Sequence, residues 1–256
     1  MEQEVDSTEL ETIASWIRAS GRVVVLTGAG ISTESGIPDF RGPQGIWTKN
    51  PEAERKSDIS FWINDPEVRI SAWKRRLQQP SRDYEPNAGH LALVELEKKG
   101  KLHTLVTQNI DRLHHKAGTS PEIIIEMHGN TREVMCLDCS ERAPVERLLA
   151  RVEAGEEDPH CRTCGGILKT ATISFGQNLI AEDIERSELA TASCDIFMAL
   201  GTLLTVTPVA YLPGIALRAG AKLVIVNADE TAYDNVAHAV IYGKTGEVLP
   251  KLVELV

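Results

Sequence analysis

Val23-Val24-Val25-Leu26 is an uninterrupted apolar run, and Thr27-Gly28-Ala29-Gly30 follows it without a gap. A short run with no polar alternation reads as a strand buried on both faces, the kind found in parallel sheets covered by helices. Gly28 and Gly30 then allow a tight turn and a close approach of backbone to a ligand, as at the start of a dinucleotide-binding turn. The Rossmann pattern asks for a third glycine at position 33, where this chain has Thr33. Gly36, Pro38 and Gly42 interrupt the next stretch, so residues 31–42 are expected to form a loop rather than a phosphate-facing helix. That loop carries Asp39, Phe40 and Arg41: an acid, an aromatic ring and a guanidinium suited to gripping the reactive end of a bound dinucleotide.

Other apolar runs predict strands at 102–106, 123–125, 172–175, 195–200 and 222–226. Leu10, Ile13, Ala14 and Ile17 repeat at helical spacing and predict a helix over 8–19, capped by Ser7 or Thr8 and ended by Gly21. Pro86 to His90 opens a second helix, 91–99, stopped by Gly100. Between them, Trp47, Phe61, Trp62 and Trp73 sit among many charges and read as a mostly helical insertion. Strands alternating with helices imply an α/β fold with a doubly wound parallel sheet. The expected division is a Rossmann-like dinucleotide-binding domain of 1–45 plus 86–132 plus 170–256, a helical insertion of 46–85, and a small zinc-binding module of 133–169.

The module rests on two knuckles, Cys136-x-x-Cys139 and Cys161-x-x-Cys164. Paired knuckles of this kind close a tetrahedral zinc site, and four thiolates leave no open position, so the metal is expected to be structural. A redox pair would need one such knuckle at a helix start. His160 can reach the same site, but four cysteines make it unnecessary. The fifth cysteine, Cys194, reads as a small buried core residue.

At 256 residues the chain holds one large domain, or one domain with a small module. Its formal net charge of −10 disfavours direct nucleic-acid binding. No window resembles a membrane span of about 18 apolar residues. The start Met1-Glu2-Gln3-Glu4-Val5-Asp6 is acidic and does not read as an export signal, so a cytoplasmic location is expected.

Each polar cluster falls just past a predicted strand end, where doubly wound sheets bind ligands. Gln108, Asn109 and Asp111 offer amides and a carboxylate for ribose hydroxyls, a carboxamide or a water, with Asn109 read as a helix cap and Asp111 as facing the ligand. Gly201 and Thr202 are placed for a phosphate, and Asn227 and Asp229 for a ribose. His128 follows the third strand into the same crevice and is the candidate general base. His114 and His115, beside Lys116, read as a solvated helix face. His90 reads as a helix-start residue, and His103 and His238 have no catalytic company.

Taken in order, Gly28-Ala29-Gly30-Ile31-Ser32, Gly36-Ile37-Pro38-Asp39-Phe40-Arg41, Thr107-Gln108-Asn109-Ile110-Asp111, His128-Gly129, the two knuckles, Phe175-Gly176, Gly201-Thr202 and Val226-Asn227 resemble the sirtuins, over residues 20–245. The resemblance implies an NAD-dependent protein lysine deacylase that consumes NAD, with acetyl the foremost acyl group, and a structural zinc. It implies that Ile37, Asp39, Asn109, Ile110 and Asp111 capture nicotinamide. Ala29, Phe40 and Arg41 would shape the ribose and phosphate side, with Gly28, Gly30, Ser32 and Gln108 beside them. Asn109, Asp111 and His128 would be the catalytic group. An acyl-lysine peptide would add as a strand near Phe175, Gly176 and Val206. Two positions depart from the family: Gln177 stands where most members have Glu, and Leu203 where many have Ser. Trp73-x-x-Arg76 aligns with a Tyr-x-x-Arg pair that binds acidic acyl groups in one branch, with Trp in place of Tyr.

Protein mono-ADP-ribosyl transfer or NAD hydrolysis is the alternative on the same fold. A zinc-ribbon binding module would leave residues 27–42 unexplained, and a hydride-transferring dehydrogenase conflicts with Thr33.

Overall fold

A computed structural model describes residues 6–42, 45–55, 57–78 and 84–256. The start Met1–Val5, on which the export-signal expectation rests, lies outside them, as do residues 79–83 at the end of the helical insertion. The described strands are β1 (Val23–Thr27), β2 (Leu102–Thr107), β3 (Ile124–Glu126), β4 (Gly129–Cys136), β5 (Arg142–Pro144), β6 (Leu168–Thr172), β7 (Ile196–Leu200), β8 (Lys222–Asn227) and β9 (Ala239–Tyr242). The helices are α1 (Ser7–Ala19), α2 (Ile46–Lys49), α3 (Pro51–Arg55), α4 (Ile59–Asn64), α5 (Pro66–Gln78), α6 (Ala88–Lys98), α7 (Leu113–Ala117), α8 (Val145–Glu153), α9 (Ala181–Ala192), α10 (Leu212–Arg218) and α11 (Thr245–Glu254).

Six strands form one parallel sheet in the order β3-β2-β1-β7-β8-β9. Every residue of β1 is buried, which is why its sequence shows no alternation. Val23 and Val25 pack on one face against α1, α6 and α11, through Ile13, Leu93 and Leu249. Val24 and Leu26 pack on the other, against Leu212 and Ala216 of α10. The order is that of a doubly wound Rossmann sheet. The winding direction reverses between β1 and β7, so the ligand crevice opens at their carboxyl ends.

Local details depart from the sequence expectations in instructive ways. Helix α1 is capped by Asp6, whose Oδ1 accepts from the Thr8 amide at 2.8 Å, and ends at Ser20 rather than Gly21. A carboxylate there also suits the positive end of the helix. The strand predicted at 172–175 lies earlier: β6 runs over Leu168–Thr172, and only Thr172 is shared. The pattern of β6 is obscured by Lys169, which is buried and donates to the Thr172 carbonyl at 2.5 Å and hydroxyl at 3.1 Å. The segment predicted as a loop begins with a 3₁₀ helix, Ala29–Ser35, closed by Gly36 at φ 88°. The irregular loop starts only there.

A second, antiparallel sheet, β5-β4-β6, carries the cysteines. Val145, Leu148 and Val152 of α8 pack against Val134, Leu168 and Trp73. The helical insertion joins this small core. Trp62 donates to the Leu168 carbonyl at 3.1 Å, and the rings of Trp62 and Trp73 meet edge to face at 5.3 Å. Arg69, 4% exposed, pairs with Asp158 at 2.6 Å and donates to the Trp62 carbonyl at 2.8 Å, so the buried guanidinium is neutralised and hydrogen-bonded. Among the described residues no helix is long and apolar enough to cross a membrane.

Candidate functional site

At the end of β1 the backbone meets the end of β7. Gly28 donates to the Leu200 carbonyl at 3.0 Å and Gly30 to the Gly201 carbonyl at 2.8 Å. A Cβ on Gly28 would lie 2.7 Å from the Gly201 carbonyl, and one on Gly30 would lie 2.7 Å from the Gly201 Cα. Gly201 has φ 60°, and a Cβ there would lie 2.4 Å from the Ile31 amide. The glycines are therefore required first by the contact between the two turns. Asn227, at the end of β8, donates to the Asp229 carbonyl at 2.8 Å. Asp229 itself is exposed.

Gln108, just past β2, joins both sides of the crevice. Its side-chain amide donates to Thr202 Oγ1 at 3.0 Å, and its carbonyl lies 3.0 Å from His128 Nδ1. A carbonyl only accepts, so His128 Nδ1 carries the proton and Nε2 keeps a bare lone pair. Burial pushes the imidazole below the usual histidine range, against the opposing pull of the Gln108 bond. The backbone on either side is fixed. The Ile173 amide donates to the His128 carbonyl at 2.9 Å, and Gly129 sits at φ 67° where a Cβ would lie 1.9 Å from the Ala171 carbonyl.

Asp111, not Asn109, reaches the start of α7. Asp111 accepts the Leu113 amide, the first of α7, at 2.8 Å, while its second oxygen accepts Ser32 Oγ at 2.8 Å. Asn109 donates to the Gly28 carbonyl at 2.9 Å and to Ser32 Oγ at 3.2 Å. The cap position of α7 is held by Arg112 at φ 63°, with no side-chain cap bond, so Asp111 takes the first helical amide from one position further out. Burial raises the Asp111 pKa, and its two hydrogen bonds pull the other way. Ser32, Asn109 and Asp111 thus form one polar wall against the 3₁₀ segment. The Thr131 amide and hydroxyl both donate to the Ile110 carbonyl, at 3.3 and 3.2 Å.

The loop beyond Gly36 is tied to the small lobe by aromatic rings. Asp39 Oδ1 accepts the Gly42 amide at 3.2 Å, and its carbonyl accepts the Ile46 amide at 2.8 Å. Phe40 packs on Trp47 at 4.5 Å between centroids, and Trp47 on Phe175 at 5.5 Å. Arg41 lies 4.5 Å over the Trp47 ring and pairs with Glu54 at 2.9 Å. Ile37 is half-buried, and its amide donates to the Ser32 carbonyl at 3.3 Å. Sequence reasoning does not place Trp47 at the site; its signal is an aromatic within ten residues of Phe40, on a predicted helix. Nor does it place Asn87 there. Asn87 donates to the Ile31 carbonyl at 2.7 Å and to Ser35 Oγ at 3.0 Å, while its Oδ1 caps α6. The sequence marks it only as a helix start.

His114 is buried rather than solvated, with Nε2 3.0 Å from Thr27 Oγ1. A helix of five residues carries too little periodicity to reveal its inner face. His90 does open α6, in a capping box with Asn87. Trp73 is enclosed in the small core, and Arg76 donates to the Thr131 carbonyl. Gln177 folds back on its own turn, accepting the Ser174 amide at 3.2 Å.

The four knuckle thiols lie within 4.8 Å of one another, with Cys136 and Cys164 sulfurs 3.4 Å apart and Cys139 and Cys161 sulfurs 3.8 Å apart. A zinc tetrathiolate with bonds of about 2.3 Å has an edge of about 3.8 Å, so the donor set fits. Gly166 is needed there, since a Cβ would lie 2.7 Å from the Cys136 sulfur. His160 turns away to the Gly165 carbonyl at 2.9 Å. All five cysteines are unbridged, and Cys194 is buried.

The family model described as "Sir2 family" matches residues 28–208. "NAD-dependent protein deacetylase 2" of Streptomyces coelicolor is 44% identical over 230 residues, covering 90% of this chain and 95% of the relative. A solved structure described as "Structural Basis for the Mechanism and Regulation of Sir2 Enzymes" superposes with a TM-score of 0.85 at 39% identity, covering 98% of each chain. Another, "Sir2-p53 peptide-NAD+", superposes with a TM-score of 0.82 at 35% identity, covering 96% of this chain and 97% of the other. Crevice, four-thiol cluster and whole-chain similarity agree, and the chain belongs to the Sir2 family.

Proposed function

We propose that this chain removes acyl groups, acetyl foremost, from protein lysine side chains, consuming NAD and releasing nicotinamide and O-acyl-ADP-ribose. The observation that carries this reading is His128, held with a bare Nε2 by the Gln108 carbonyl in the crevice where the β1, β2 and β7 turns meet. NAD supplies an electrophilic ribose carbon once nicotinamide departs. The acyl oxygen of the substrate lysine would take nicotinamide's place on that carbon, a ribose hydroxyl would then attack the acyl carbon, and one water would balance release of the lysine amine; residues of this chain bind, orient and move the protons.

Ile37, Asp39, Asn109, Ile110 and Asp111 form the nicotinamide pocket. Asn109 and Asp111 orient the carboxamide, and Ser32 holds Asp111 in place. Gly28, Ala29, Gly30, Gly201 and Thr202 offer the turn where the phosphates lie, and Gln108 sets Thr202. Asn227 and Asp229 stand at the adenosine ribose. Phe40 covers the reacting carbon against water, backed by Trp47. Arg41 supplies positive charge on the phosphate side. His128 Nε2 takes a proton from a ribose hydroxyl as the acyl group transfers. The substrate peptide adds as a strand between Gly176 and Val206. It pairs beyond Phe175, because the Phe175 amide and carbonyl already bond to Ser57 at 3.1 Å and Ile59 at 2.9 Å.

Cys136, Cys139, Cys161 and Cys164 hold a structural zinc, and a tetrathiolate of this kind suits a reducing cytoplasm. Acetyl is preferred over acidic acyl groups because Trp73 and Arg76 are engaged in the small lobe. The chain divides into a large NAD-binding domain, an insertion of 46–85 and a zinc module of 133–169, a reading supported by the separate antiparallel sheet β5-β4-β6.

Mass spectrometry of acetyl-, propionyl- and succinyl-lysine peptides incubated with NAD tests this function. The expected result is rapid loss of acetyl, strictly dependent on NAD, with succinyl loss at least about tenfold slower, the worth of roughly one charged hydrogen bond. Faster succinyl loss would overturn the preference. A gain of ADP-ribose on protein without acyl loss would favour the transferase alternative.

A further inference from the structure

Arg112 stands between Asp111 and the first residue of α7, at φ 63° and ψ 22°. Glycine enters that left-handed conformation freely, and a long side chain enters it at a cost. The backbone alone favours glycine there, so what Arg112 adds is its guanidinium. Its Nε is buried and has no hydrogen-bond partner among the described residues. The same holds for Oε1 of Glu126, the last residue of β3. These two atoms lie 3.8 Å apart, as an ion pair that stops short of a hydrogen bond.

Glu126 is itself held. Its other oxygen accepts the Asn130 side-chain amide at 3.0 Å. Asn130 is buried, and its Oδ1 accepts the Arg132 and Glu133 amides at 3.1 and 3.2 Å. The backbone of Glu126 lies in register with Thr107 at the end of β2, and the next amide, that of Met127, donates to the Thr107 carbonyl at 2.9 Å. The carboxylate therefore sits on a fixed strand end, two residues before His128. Arg112 reaches it from the turn that carries Asp111. Three further charged or titratable groups stand around Glu126. His115 Nδ1, on α7, lies 3.7 Å from the same Oε1. Glu133 on β4 shares the Asn130 amide at 3.3 Å and is paired with Arg142 of β5 at 3.1 Å. Burial, then Arg112 and Arg132, push His115 below the usual histidine range. At neutral pH the positive charge against Oε1, among the described residues, is that of Arg112.

We propose that Arg112 and Glu126 are positioning residues: their ion pair fastens the turn that carries Asp111 to the strand end that leads to His128, and so fixes the nicotinamide-binding carboxylate relative to the base. Asp111 accepts the Leu113 amide with one oxygen and Ser32 Oγ with the other. Both bonds depend on the direction in which the chain leaves Arg112. A guanidinium drawn to Glu126 holds that direction. The inference rests on placing nicotinamide beside Asp111.

Three variants separate the charge from the turn. Arg112→Gly keeps the left-handed turn and removes the cation. Arg112→Lys keeps a cation on a long stem. Glu126→Gln keeps an acceptor for Asn130 and removes the negative charge. Arg112→Gly and Glu126→Gln are each expected to raise both the KM for NAD and the inhibition constant of nicotinamide about fivefold, the upper range for an ion pair with partly exposed arms. The peptide KM should move less than about twofold, and Arg112→Lys should stay within about twofold of the unaltered protein, because the pair is made by charge and not by a fork of hydrogen bonds. The double variant Arg112→Gly with Glu126→Gln is expected to be no worse than the worse single one. Unchanged constants in Arg112→Gly, an equal loss in Arg112→Lys, or additive losses would overturn the positioning role; Arg112→Gly and Arg112→Lys decide it if Glu126→Gln fails to fold. Carboxyl-carbon spectra of Glu126, recorded without NAD, read the pair itself. The titration midpoint of Glu126 is expected to rise in Arg112→Gly, since a neighbouring cation favours the carboxylate. An unmoved midpoint would overturn the pairing. Absence of NAD-dependent acyl removal in the unaltered protein would strike the proposed function instead and leaves the titration interpretable.

Discussion

His128→Ala is expected to lower kcat for deacetylation by about 10²–10⁴-fold, the usual contribution of a positioned general base. Folding, zinc content and peptide KM should stay near those of the unaltered protein, since the His128 backbone is held by Ile173 and the Gly129 turn rather than by the imidazole. The pH dependence follows from the same geometry. The base must be neutral, and burial pushes its pKa below the ordinary histidine value of about 6.5. Activity should therefore be fully present at neutral pH and fall with an acid limb only below about 6.5. That limb should disappear from the residual activity of His128→Ala. A variant with near-normal turnover, or one that keeps the acid limb unchanged, would place the base elsewhere.

Cys164→Ser is expected to release the metal and unfold the small sheet. Structural zinc contributes roughly 10–16 kcal/mol of apparent binding free energy in small modules. A core of that size supplies only about 3–5 kcal/mol by itself. The core in question is Val134, Val145, Leu148, Val152, Leu168 and Trp73, with two of the cysteines inside it. Trp62 and Trp73 report its loss by fluorescence, and metal analysis reports the zinc. Activity should fall with it, because β6 leads directly into Ile173, whose amide holds the His128 carbonyl. Cys136→Ser should behave alike, since its sulfur is buried against Gly166 and Cys164. A metal-free variant that stays folded and active would contradict the structural role.

Much of the fold is legible in the sequence because the physics is local. A short, β-branched apolar run bounded by turn residues reads as an interior strand, and β1, β7 and β8 fall where such runs stand. Knuckle spacing depends on a few backbone angles, so the cysteine cluster is readable without its surroundings. The contacts between the insertion and the cysteine module are not legible. They join Arg69 to Asp158 and Trp62 to Leu168, far apart in the chain, and no local pattern announces them. Strand β6 falls earlier than expected because its buried lysine reads as solvent-facing until its partners in Thr172 are seen. Strand β9 escapes detection at the sheet edge, where only alternate residues are buried. His114 reads as solvated because its helix is one turn long and its partner, Thr27, lies on another element. At the crevice the residue types are readable but their division of labour is not. Asn109 and Asp111 both suit a helix start, and only the position of α7 shows that Asp111 is the one that takes its first amide.

Product stoichiometry in a single reaction tests the central claim most directly. Acetyl-lysine peptide and NAD, incubated with the purified protein and quenched at several times, should give nicotinamide, deacetylated peptide and O-acetyl-ADP-ribose in equal amounts at every point. Nicotinamide released with free ADP-ribose and intact acetyl peptide, or acetate released without NAD consumption, would contradict it.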